Sequence, residues 1–163
     1  MQLCFERAFG WTACLAAIVL LVAAMLLGTN ANAADPVRVI GAAVRLPAVT
    51  GRPAAGYFRL IGGAKGDTLV GVASPLAQRI ELHNSSMAGG VMRMDKILAV
   101  KLAPSETVEF KPGGNHLMIF GIAATLKPGA TLPLTFRFAS GTTVKVDAAT
   151  VAPGAALDGG HAH

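Results

Sequence analysis

Beyond residue 36 the chain alternates apolar and polar positions with the period of two expected of half-buried strands, and turn-forming residues interrupt it repeatedly. Val37 to Ile40 opens the pattern, followed by a proline- and glycine-marked turn over residues 47–51. Ala54 to Ile61 (AAGYFRLI) reads as a strand closed by Gly62 and Gly63, and Thr68 to Ala73 as one closed by Ser74 and Pro75. Arg79 to His83 alternates charge and aliphatic as RIELH, Met87 to Gly90 reads as a loop, and Val91 to Ile97 (VMRMDKI) resumes the alternation. Thr107 to Phe110 forms a short strand before the Lys111–Gly114 turn, and His116 to Ile122 follows as a strongly apolar strand. After a turn at Lys127-Pro128-Gly129, Leu132 to Ala139 and Thr142 to Asp147 form a terminal hairpin across Ser140 and Gly141. No amphipathic stretch of helical length interrupts the series. Short strands spaced about ten residues apart predict an all-β fold, an antiparallel β-sandwich.

Residues 1–33 do not share this pattern. Arg7 precedes a charge-free apolar run from Ala13 to Leu27, and Ala31-Asn32-Ala33 supplies a small-residue cleavage site. The run is short for a membrane span, so this segment is expected to be a cleavable signal peptide and the protein to be exported. Cys14 lies before the apolar core rather than closing it, unlike a lipoprotein cysteine. Residues 34–151 then make one domain and residues 152–163 a flexible tail.

Cleavage at Ala33 changes the chemistry available. Both cysteines, Cys4 and Cys14, leave with the leader. The exported chain can form no disulfide, thiolate nucleophile or thiolate metal site, and a blue-copper centre, which needs cysteine, is excluded. The net charge of +5 is unaffected, because Glu6 and Arg7 cancel. Its basic residues are scattered singly rather than interleaved with aromatics, so no nucleic-acid surface is expected.

What the exported chain concentrates is histidine and methionine. His83 and His116, with Met87, Met92, Met94 and Met118, all fall between residues 83 and 118. Imidazole and thioether together suit Cu(I). His116 and Met118 are two apart on a strand and share a face, while Leu117 points into the sandwich. Met92 and Met94 are related in the same way, and either sulfur could reach the metal if their strand borders that of His116. His83, at the end of its strand, would bring the second imidazole. Such a set is neutral, so Cu(I) retains a single positive charge, and only the imidazoles compete with protons for it.

The spacing also carries a resemblance. His83, ten residues, Met94, twenty-one residues, His116, one residue and Met118 reproduce the His-x10-Met-x21-His-x-Met signature. The segments AAGYFRL, VMRMDKI, PSETVEFKPGGNHLMIFG and LPLTFRFASGTTVKVDA, spanning about residues 37–151, strengthen it. In these features the chain resembles the periplasmic PCu(A)C copper chaperones. The resemblance implies a cupredoxin-like Greek-key sandwich and a Cu(I) site made of His83, Met94, His116 and Met118. It implies delivery of copper to the CuA centre of cytochrome oxidase subunit II, with thiol reductases and other copper carriers as further partners. Contact with a membrane would come only through membrane-bound partners. Met87 and Met92 fall outside the four-ligand pattern. His161 and His163 end a tail that is short and lacks methionine, and a solvated end is the better reading of it.

A copper-buffering or resistance protein fits the same residues, and a structural sandwich with core methionines is the plainer alternative. An enzyme is not expected, because the exported chain shows neither a Ser-His-Asp arrangement nor paired carboxylates.

Overall fold

The structure is a computed structural model and describes residues 35–157. The expected signal peptide and the tail histidines His161 and His163 lie outside the described residues. Ten strands make up the domain: β1 (Arg38–Arg45), β2 (Ala54–Ile61), β3 (Asp67–Ala73), β4 (Arg79–Ala88), β5 (Val91–Ile97), β6 (Val100–Leu102), β7 (Thr107–Phe110), β8 (Asn115–Phe120), β9 (Thr131–Phe138) and β10 (Thr143–Val151). No helix occurs among the described residues. The hydrogen-bonded order is β5-β4-β8-β7-β2-β1-β10-β9-β3-β6, with β8 also pairing β2. Neither β2 and β3 nor β3 and β4 are neighbours, so the chain crosses repeatedly between the two halves of this ladder. The fold is the all-β, cupredoxin-like Greek-key sandwich that the sequence pattern and the resemblance led us to expect.

Aromatic contacts show how the ladder folds on itself. Phe58 of β2 stacks on Phe110 of β7 with ring centroids 4.1 Å apart. The same ring meets Phe136 of β9 edge-on at 4.9 Å, although β1 and β10 separate β2 from β9 in strand order. The two halves therefore face each other across a single core. Strict alternation fills it: Phe58 and Leu60 point inward from β2, and Leu132, Leu134, Phe136 and Phe138 from β9.

Most strand ends lie within two residues of the sequence reading, and the structure departs from it further at four places. β1 runs past Ile40 to Arg45 because a bulge inserts one residue between Ile40 and Ala43. Gly41 supplies the positive φ of 64° there. The extra residue reverses the alternation, so Val39 and Val44 are both buried despite opposite parity. β10 continues beyond Asp147, and Ala149–Val151 pairs in parallel with Ala43–Arg45, an exception to the antiparallel plan. β6 is a three-residue edge strand, too short to show a period. Finally, β4 does not stop at His83 but extends to Ala88, and only Gly89 and Gly90 form the turn. Their φ values of 58° and 78° suit a two-residue hairpin, which glycine enters without steric cost. Met87 is thus a strand residue, not a loop residue.

Phe136 has no exposed surface and contacts the opposite half of the sandwich. Phe136→Ala should cost about 3–5 kcal/mol in urea unfolding, from lost transfer energy plus the cavity left behind. A loss below about 1 kcal/mol would contradict the packing described.

Candidate metal centre

The β4–β8 pair sets the site. On its inner side Leu82 lies opposite Leu117 and Ile80 opposite Ile119. The next residues along therefore pair on the outer side: His83 with His116, Glu81 with Met118 and Arg79 with Phe120. Directly opposite residues in an antiparallel pair project to the same face. His83 and His116 accordingly stand side by side, with ring centroids 6.0 Å apart and planes inclined by 38°. Met118 follows two residues after His116 on that face.

Each imidazole is held by one nitrogen. The Nδ1 of His116 lies 3.0 Å from the carbonyl oxygen of Gly114. A carbonyl only accepts, so Nδ1 must carry the proton and donate, leaving the Nε2 lone pair available. The same carbonyl accepts the backbone N–H of Ser85 at 3.1 Å, which ties β4 to the turn before β8. His83 is held in the opposite sense: its Nε2 lies 3.0 Å from Oε2 of Glu81. With Nε2 donating to that carboxylate, Nδ1 bears the lone pair. This Nδ1 is buried and has no hydrogen-bond partner among the described residues. A buried polar atom without a partner costs about 1–3 kcal/mol, a cost that a metal ion bound there would remove.

Glu81 is fixed in turn. Its Oε1 accepts from Nζ of Lys96 at 2.8 Å and pairs with Nε of Arg79 at 3.1 Å. The Lys96 ammonium first, then the His83 N–H, hold the Glu81 carboxyl down to about 2. It is therefore ionised throughout the neutral range. A carboxylate or carbonyl accepting from the far nitrogen of a ligating histidine is the usual support of a metal site, fixing tautomer and ring orientation.

The methionines of the hairpin occupy the same face. Lys96 of β5 lies opposite His83, Met94 opposite Ser85 and Met92 opposite Met87. Met94 is diagonal to His83 and one strand further from His116, because β4 separates β5 from β8. Met94 is half exposed, and Met92 and Met87 more so. All four residues anticipated as ligands thus share one face. His83, His116 and Met118 are close neighbours on the β4–β8 pair, and Met94 approaches from the hairpin. Glu81 and Gly114 were not anticipated. Glu81 had a sequence signal, since it shares strand parity with His83 in RIELH, whereas the role of the Gly114 carbonyl had none.

A family model described as "Putative lipoprotein LpqE-like" matches residues 37–151. The chain belongs to this LpqE-like family. Solved structures place it with PCuAC-type domains, as the spacing of its histidines and methionines suggested. The apo PmoF2 PCuAC domain aligns with this LpqE-like chain at a TM-score of 0.62 and 25% identity, covering 76% of this chain and 95% of that one. The copper-bound PCuAC domain from PmoF2 aligns at 0.61 and 24% identity, covering 74% and 97%. Apo-DR1885 from Deinococcus radiodurans aligns at 0.55 and 31% identity, covering 74% and 81%. Among curated sequences, "Putative lipoprotein Lxx21020" of Leifsonia xyli subsp. xyli (strain CTCB07) is 30% identical over 79 residues, 48% of each chain. The chain spans about half the length of the curated relatives it matches.

In the metal-free protein near pH 7.5, nitrogen-15 NMR should find His83 as the Nε2–H tautomer and His116 as the Nδ1–H tautomer. Glu81→Ala should scramble the tautomer of His83 alone. The same tautomer in both rings would contradict the hydrogen bonds described.

Proposed function

We propose that this protein is an exported, periplasmic copper chaperone. It holds one Cu(I) at His83, Met94, His116 and Met118 and delivers it to the CuA centre of cytochrome oxidase subunit II. One observation above all supports this reading: two adjacent imidazoles each have one nitrogen tied to an acceptor, and the freed Nδ1 of His83 is buried without a partner among the described residues. The thioethers on the same face complete a soft, neutral donor set of the kind that favours Cu(I) over harder ions.

The arrangement divides the work of holding and releasing. His116 is almost fully buried and its ring is fixed by the Gly114 carbonyl, so it is the anchor. Met94 is half exposed on the projecting hairpin and is the ligand most easily displaced. A recipient's ligand enters from that side and replaces the thioether, and copper passes over by ligand exchange without a change of charge. This is binding and hand-over rather than catalysis. Other copper carriers would load the site, and thiol reductases would keep the thiolates of the CuA centre reduced.

In an anaerobic titration against a chromophoric competitor, the exported protein should take up one tight equivalent of Cu(I). His116→Ala/Met118→Ala should abolish it; no tight binding by the unaltered protein would end this reading. Met94→Ala should weaken tight binding far more than Met92→Ala, and equal losses would overturn the ligand assignment. Affinity should fall as pH is lowered, because protons compete with copper for the imidazole nitrogens. A flat response from pH 7 to pH 5 would exclude histidine ligation. Normal CuA content in a deletion strain would favour copper buffering over delivery.

A further inference from the structure

Met87 and Met92 take no part in the site described above, yet their placement is specific. They are direct partners across the β4–β5 hairpin, and Met94 lies two residues beyond Met92 on the same strand. Directly opposite side chains in such a pair have Cβ atoms about 4.5–5.5 Å apart, and diagonal ones about 7–8 Å. All three side chains therefore rise from one face within reach of one another. The register comes from the Gly89-Gly90 turn, and among the described residues no neighbouring atom lies near the Cβ position of either glycine.

Packing does not account for these residues. Met87 is 67% exposed, Met92 62% and Met94 50%. Burying a methionine side chain fully contributes about 1.5–3 kcal/mol, and at such exposure most of this is forfeited. Three flexible thioethers at a solvent-exposed hairpin tip are costly as surface but well suited to a soft cation, since each can swing its sulfur inward through three rotatable bonds.

We propose that Met87, Met92 and Met94 form a second Cu(I) site, an all-thioether entry station at the hairpin tip. Met94 belongs to both sites, so the two fill in sequence rather than together. Cu(I) is first captured by the three sulfurs. It then moves along the face, retaining the Met94 sulfur, while those of Met87 and Met92 leave and the His83 Nδ1 and His116 Nε2 lone pairs and the Met118 sulfur take their place. No electron or proton is transferred, and copper stays Cu(I) throughout. The relay rests on the proposed function above; the thioether site itself does not.

The test uses anaerobic Cu(I) as the probe and His83→Ala/His116→Ala/His161→Ala/His163→Ala, which removes all four imidazoles of the chain. This variant should bind one equivalent more weakly than the unaltered protein, with an affinity unchanged between pH 7 and pH 5 because thioethers do not protonate. Adding Met87→Leu/Met92→Leu should abolish that binding. An empty imidazole-free variant, or binding indifferent to the two leucines, would overturn the site. In the otherwise unaltered protein, Met87→Leu/Met92→Leu preserves shape and should leave the final affinity within about threefold, while loading and release both slow by about tenfold. Unchanged rates would overturn the relay and leave the tip as an apolar docking surface. Failure of the tight site alone would show in the unaltered protein and would not alter the imidazole-free result.

Discussion

The pairing of Leu82 with Leu117 across β4 and β8 fixes the face on which both histidines stand. Both leucines are buried in the core, and Ile80 lies opposite the fully buried Ile119 one step along. A one-residue slip would turn every side chain of one strand to the other face, exchanging these aliphatics for Glu81, His83 and their neighbours. The core therefore enforces the register, and the register places His83 against His116 and Glu81 against Met118. On the proposed reading, the face that the core leaves outward is the one that binds copper.

From that pairing outward the structure grades from fixed to free. Around the histidines, the Gly114 carbonyl joins β4 to β8, and the Glu81 carboxylate gathers Arg79, His83 and Lys96 from two strands. Further along, β5 is exposed at six of its seven positions, and the hairpin ends in two glycines. On the proposed reading this gradient suits a carrier. Rigid, pre-oriented imidazoles hold the ion without a cost of reorganisation, and pliable thioethers at the exposed end let it enter and leave.

Much of this was legible in the sequence because strands record which face is buried. The period of two in β2 and β9 and the turn-bounded apolar run of β8 pointed to the sandwich, and the i, i+2 spacing put His116 with Met118 and Met92 with Met94. What stayed hidden breaks or outruns the period. The bulge at Gly41 reverses the alternation of β1, and β6 is too short to have one. The polar stretch Asn84–Ser86 carries β4 onward through ladder bonds to β5, which apolar patterning does not register. Backbone acceptors such as the Gly114 carbonyl leave no mark in a sequence, since every residue has one. The Lys96–Glu81 contact needed the β4–β5 register before it could be seen.

X-ray absorption at the copper edge of the protein loaded with one equivalent of Cu(I) tests the central claim most directly. The account predicts a first shell of two imidazole nitrogens and two thioether sulfurs, with outer-shell scattering from two imidazole rings. A shell without sulfur, or one with no imidazole scattering, would contradict a single site assembled from His83, His116, Met118 and Met94.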